Sequence, residues 1–168
     1  LTLYNIILGG GTDSKLFQEV REKNSLCYVI NSVPNKLDNL IIIRAGIDKS
    51  NYQKVLTLID KILVDMKKGK FTEENINKAK EFYNTALDEV EESQNSIINN
   101  YYMSELIGTD SLDVKREKIA KVTKEEIVKE LRDAGSKVYI MDGDVRELGL
   151  INYYKSFLKA LKQMGVSY

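Results

Sequence analysis

The sequence predicts an α+β fold in which helices pack on a mostly antiparallel sheet, and three observations predict it. Residues 27–33 and 39–46 are β-branched or apolar, and residues 34–38 supply the break of a strand pair. Val55, Leu58, Ile59, Ile62 and Met66 recur every three or four residues and stop at Gly69, which is the pattern of an amphipathic helix lying on that pair. A further apolar run, residues 137–141, comes only after several helical patterns, so strands and helices are grouped rather than alternating.

At the start, Leu3, Ile6 and Ile7 fall at helical spacing and Gly9-Gly10-Gly11 follow at once, so the chain opens within the last turns of a helix ended by glycine. Thr12 or Asp13 is placed to cap a second helix, with Leu16, Phe17 and Val20 as its apolar face, running to about Lys23. After the strand pair and the helix through Val55, Thr72 with Glu73 and Glu74 opens a long helix through Ile76, Ala79, Tyr83, Leu87 and Val90; its acidic first turn suits the helix dipole. Residues 97–106 continue it. Asp110 and Thr123 offer two further starts, the second a capping box with Glu126 ahead of Ile127, Val128 and Leu131. Gly135 precedes the strand at 137–141, and residues 151–164 return to helical spacing as a C-terminal tail. Three strands are few for so many helices, which together with the opening inside a helix suggests a domain truncated on its N-terminal side. Residues 1–168 read as a single domain, without repeat or linker.

Composition narrows the chemistry. The chain has 168 residues, 43% hydrophobic and 30% charged, with Lys+Arg 25 against Asp+Glu 25, the balance of a globular domain rather than a nucleic-acid binder. No apolar run approaches the roughly 20 residues that span a bilayer, and the first residues lack a signal peptide's charged and small-residue pattern. A cytoplasmic location, with no membrane partner, is the expectation. The lone Cys27 cannot form an intramolecular disulfide. There is no histidine, so the chain lacks the usual N/S donors of a zinc site and the base of a Ser-His-Asp or Cys-His pair.

Individual motifs mostly have structural explanations. Gly9 to Lys15 lacks the glycine directly before Lys-Ser/Thr that a phosphate loop needs, and helix termination accounts for its glycines. The acidic group Asp88, Glu89, Glu91 and Glu92 sits on a helical pattern and reads as a solvated face. Tyr101-Tyr102 and Tyr153-Tyr154 read as helix packing rather than base-stacking platforms. Arg21, near a helix end, and Tyr28, entering the next strand, are the pair that could converge on one cleft edge. A guanidinium there can hold a peptide carbonyl or carboxylate, and a phenol can donate to an oxygen gaining negative charge. A cation at a helix C-terminus and a packed strand tyrosine are the alternative readings.

The stretch Gly9-Gly10-Gly11, then Ser14-Lys15-Leu16-Phe17, then Val20-Arg21-Glu22, then Leu26-Cys27-Tyr28, strongly resembles the C-terminal homologous domain of insulinase and mitochondrial-processing-peptidase-type (M16) zinc metallopeptidases. Similarity continues through Ala45-Gly46-Ile47-Asp48, the helix from Asn51, and Gly69 to Glu74 leading to Ala79-Lys80. It covers residues 1–142, leaving 143–168 as the less diagnostic tail. The resemblance implies a LuxS/MPP-like metallohydrolase fold. It also implies a complementary domain or subunit carrying zinc on a His-x-x-Glu-His motif that this chain lacks. In the Arg-x6-Tyr spacing of the family, Arg21 positions the substrate backbone and Tyr28 steadies the carbonyl oxygen attacked by zinc-bound water. The implied partners are an unfolded polypeptide substrate and the zinc-bearing half, with self-association through an exposed sheet edge allowed. No activity is expected of the chain alone. A catalytically silent structural member of the same family is the alternative.

Overall fold

The structure is a computed structural model, and it describes residues 1–35 and 40–133. The strand expected at 137–141, the tail at 143–168 and most of the break between the first two strands lie outside these residues. The described part falls within one compact unit, Leu1–Asp133.

Helix α1 (Thr2–Gly9) is apolar almost all round, and it is correspondingly buried through Leu3, Tyr4, Ile7 and Leu8. Gly9 ends it against the first strand, where an added Cβ would lie 2.6 Å from Ser32 Oγ and 2.7 Å from Ser32 N. Gly10 caps the helix in a right-handed conformation, φ −81°. The expectation of glycines chosen for helix termination is thus corrected at Gly9, where close approach of two elements requires the missing side chain.

Ser14, rather than Thr12 or Asp13, begins the next helical segment. Its buried hydroxyl donates to Gly11 O and accepts from Phe17 N. Phe17–Lys23 is a π-helix, a wider coil with i→i+5 bonds that hydrophobic spacing does not announce. Leu16 and Val20 are fully buried, whereas Phe17 is only partly so. Ser25, in the left-handed region at φ +49°, then turns the chain, and Leu26 N–H donates back to Val20 O at 3.0 Å.

The strands β1 (Val29–Asn35) and β2 (Leu40–Gly46) form an antiparallel hairpin with Val29 opposite Gly46 and Val33 opposite Ile42. Pro34, assigned from sequence to the break, is within β1 opposite Ile41. A 3-10 turn (Lys49–Asn51) leads into α2 (Tyr52–Lys67), which buries Val55, Ile62 and Met66 and ends at left-handed Gly69, φ +74°. There Gly69 N–H donates to Met66 O and Lys70 N–H to Asp65 O, satisfying two carbonyls that the helix leaves open.

Helix α3 (Glu73–Glu92) starts on a reciprocal Thr72–Asn75 cap and buries Ile76, Ala79 and Leu87. It does not run on into residues 97–106: Ser93 is extended and caps a separate α4 (Gln94–Ile107) by accepting from Ser96 N. Likewise Ser111, beside the expected Asp110, caps α5 (Leu112–Lys121). The Thr123–Glu126 box forms as read and opens α6 (Lys124–Asp133). Asp88 and Glu91 both reach Arg116 of α5, at 2.6 and 2.9 Å, so the acidic face of α3 is an inter-helix clamp as well as a solvated surface. Tyr101 and Tyr102 are 70% and 62% exposed on α4, not packed as read from the sequence. The core joins α1, the π-helix, β1, α2, α3 and α6 into one cluster centred on Leu8, Leu16, Val20, Met66 and Ile76.

Candidate functional site

One open cleft of about 380 Å3 lies where the π-helix, the turn after it and the β2–α2 connection meet. Arg21 and Glu22 come from the π-helix, Ser25, Leu26 and Cys27 from the turn, Tyr28 from the residue before β1, and Asp48 and Asn51 from the connection into α2. The two residues singled out from sequence, Arg21 and Tyr28, therefore line the same cleft.

Local structure explains how each is placed. The guanidinium of Arg21 lies 4.7 Å from the centroid of the Phe17 ring, one π-helical turn back. That contact helps set the direction of a side chain that is still 44% exposed. Its other charge neighbour is Glu22, at 3.9 Å. Phe17 is thus partly a platform for Arg21 rather than simply a core residue.

Tyr28 N–H donates to Gly46 O at 2.8 Å, extending the hairpin ladder by one residue and fixing where the side chain departs. Its ring is 69% exposed, and its hydroxyl donates to the Asp48 carboxylate, 3.0 Å from each oxygen. A phenol has one proton. Donation to a substrate carbonyl, the role implied by the resemblance, therefore requires exchange of this bond. Asp48 is the cleft residue that sequence reasoning missed as a site residue. The signal was present in the Ala45-Gly46-Ile47-Asp48 segment, which places an acid two residues beyond the end of β2, but only pairing of the two strands brings it to Tyr28.

Cys27 is buried, and desolvation pushes its thiol above the ordinary value while the nearby charge of Arg21 pulls more weakly the other way. It is a small apolar wall of the cleft with suppressed thiolate character. Among the described residues no group of three or more His, Cys, Asp or Glu side chains is arranged to hold a metal ion, and no helix is long and apolar enough to cross a membrane.

Fold and cleft define an α+β domain whose helices cover an antiparallel hairpin and whose polar cleft opens at the hairpin's end. Residues 1–83 match the Peptidase M16 inactive domain, and the chain belongs to the M16 peptidase family through that domain. Among curated proteins it is 30% identical over 147 residues to "Probable inactive metalloprotease YmfF" of Bacillus subtilis, covering 83% of this chain and 32% of that protein. It is 28% identical over 109 residues to "Uncharacterized zinc protease YmxG" of the same organism, covering 64% of this chain and 27% of that protein. The chain thus spans about a third of the length of these relatives. Among solved structures, a conserved protein from Enterococcus faecalis V583 superimposes with TM-score 0.73 at 28% identity, over 78% of this chain and 31% of that one. The peptidase M16 inactive domain from Pseudomonas fluorescens shares the fold, with TM-score 0.65 at 20% identity over 79% of this chain and 32% of that one.

Proposed function

We propose that this chain is the non-catalytic, substrate-binding portion of an M16-type zinc metallopeptidase, in which Arg21 and Tyr28 grip the backbone of an unfolded polypeptide. The observation that carries this reading is the convergence of Arg21 and Tyr28 on one solvent-open cleft, each held by a separate local device. A guanidinium offers several N–H donors to peptide carbonyl oxygens, and a phenolic oxygen adds a directional polar contact beside it. Among the described residues the sheet consists of β1 and β2, and an extended segment pairing with one of these strands would have its backbone fixed at this end.

Zinc does not fit the donors of this chain. It has no histidine, and its described residues provide no metal-binding cluster. In this proposal hydrolysis belongs to zinc held in another domain or subunit, and the working protein acts on unfolded polypeptides in the cytoplasm. The relative called an inactive metalloprotease supports a second reading, a catalytically silent family member serving in a larger assembly.

Zinc analysis of the complete native protein, with any copurifying partner, separates the two. About one zinc per assembled unit, together with peptide hydrolysis, supports the first reading. A protein and partners devoid of zinc and of peptidase activity overturn it in favour of the second.

A further inference from the structure

We infer that Phe17 is a positioning residue for Arg21, its ring holding the guanidinium at the cleft without occupying the N–H donors that grip a peptide backbone. This rests on the backbone-gripping reading above and names what keeps its donor in place.

An arginine used as a grip has to be held. Its long side chain carries large rotamer freedom, and whatever freedom binding removes is subtracted from affinity, so a guanidinium fixed beforehand binds more tightly than a mobile one. A carboxylate can fix it, but through hydrogen bonds that use up the donors. An aromatic ring attracts the cation electrostatically and leaves its N–H groups to other partners. Arg21 has support of this second kind. Its Cζ lies 4.7 Å from the Phe17 centroid, within cation–π range. The Glu22 carboxylate stands 3.9 Å from Arg21 Nε, beyond hydrogen-bond distance.

The register of the pair is built in from both ends. Leu16 and Val20, four residues apart, turn fully into the core, and Phe17 and Arg21, one residue further on, run along its rim as a partly buried and an exposed residue. Before the π-helix, Phe17 N–H donates to the buried Ser14 Oγ at 3.4 Å. At its end, Ser25 N–H donates to Arg21 O at 2.9 Å and Leu26 N–H to Val20 O at 3.0 Å. Backbone anchors thus hold both residues, and the contact with the ring aims the guanidinium. The charge of Arg21 reaches Cys27 on the cleft wall, where it opposes the effect of burial on the thiol. Phe17 is not among the described residues that line the cleft, so its effect on substrate passes through Arg21.

The test compares F17L and F17M, which keep an apolar side chain but remove the ring, with F17Y, which keeps the ring. In the 15N-labelled chain, the Arg21 Nε–H signal, assigned with R21A, should carry a ring-current displacement that is lost in F17L and F17M and kept in F17Y. Binding of an unstructured synthetic peptide is then measured on the complete native protein with any copurifying partner, zinc being chelated so that the peptide survives. F17L and F17M should each weaken binding about two- to fivefold, the factor that corresponds to an exposed cation–π contact, and F17Y should stay within about twofold of wild type. On an R21A background F17L should weaken binding no further. An Arg21 signal unmoved by loss of the ring overturns the positioning role. So does wild-type binding by F17L where R21A is impaired, or an equal loss from F17L with and without Arg21, which would place the effect of Phe17 in the fold. Wild-type binding by R21A overturns the gripping reading itself, and this inference with it.

Discussion

Gly9 and Ser32 meet so closely that a Cβ at Gly9 would lie 2.6 Å from Ser32 Oγ, 2.7 Å from Ser32 N and 2.9 Å from Ser32 Cβ. Two further hydrogen bonds clamp the same crossing: Asn5 Nδ2 donates to Ser32 O, and Ser32 Oγ donates to Asn5 O, each at 3.2 Å. Helix α1 is thereby fixed against β1, and the π-helix and cleft follow directly from its end.

Replacing Gly9 by Ala should destabilise the protein. Relief of glycine's backbone entropy favours alanine by up to about 1 kcal/mol. Overpacking of a buried crossing costs about 1–3 kcal/mol, and because backbone is among the atoms struck, the upper part of that range applies. Urea denaturation of G9A should show a lower midpoint than wild type; an equal or higher midpoint would mean that the two elements can separate cheaply.

Alkaline pH should reveal the burial of Tyr4. Desolvation raises its phenol from 10.0 to about 12, so the folded state holds the proton more tightly than the unfolded chain. The stability contribution is intact below pH 10 and is lost as pH rises from about 10 through about 12, amounting to roughly 2–3 kcal/mol at most. Cys27 and Tyr83 are raised in the same sense, so Y4F should flatten the alkaline decline without abolishing it. Denaturation midpoints of wild type and Y4F between pH 9 and 12 measure the difference, and parallel declines would contradict the assignment.

The proximity of Arg21 to Cys27 gives a chemical readout of the cleft. Thiolate is the reactive form toward iodoacetamide, burial disfavours it, and Arg21 partly restores it. R21A should move the pH–rate profile of Cys27 alkylation to higher pH, whereas R21K should stay nearer wild type. Altered access would change the plateau rate instead of the midpoint, so an unmoved midpoint in R21A would place the guanidinium too far away to act.

Much of the fold is legible in sequence because its signals are local. The apolar spacing of α2, the left-handed Gly69 after it, the Thr123–Glu126 box and the hairpin runs each declare themselves within a dozen residues. What escapes is decided by contacts distant in sequence or by subtle capping chemistry. The reason for Gly9 lies 23 residues away at Ser32. Ser93, extended and capping, divides two helices that the sequence reads as one. The π-helix preserves burial of Leu16 and Val20 while turning Phe17 into a support for Arg21. Arg21 and Tyr28 were legible through the Arg-x6-Tyr spacing of the resemblance, not through chemistry alone. Asp48 became visible only when β1 and β2 were paired.

The proposed grip of Arg21 and Tyr28 on substrate is tested most directly by kcat/KM for a fluorogenic peptide with R21A and Y28F in the complete native protein together with any copurifying partner. Loss of a donor or anchor of this kind lowers turnover by a factor on the order of ten to a thousand, with the fold and zinc content unchanged. That drop in each variant is the predicted result. Wild-type turnover in both would contradict the account.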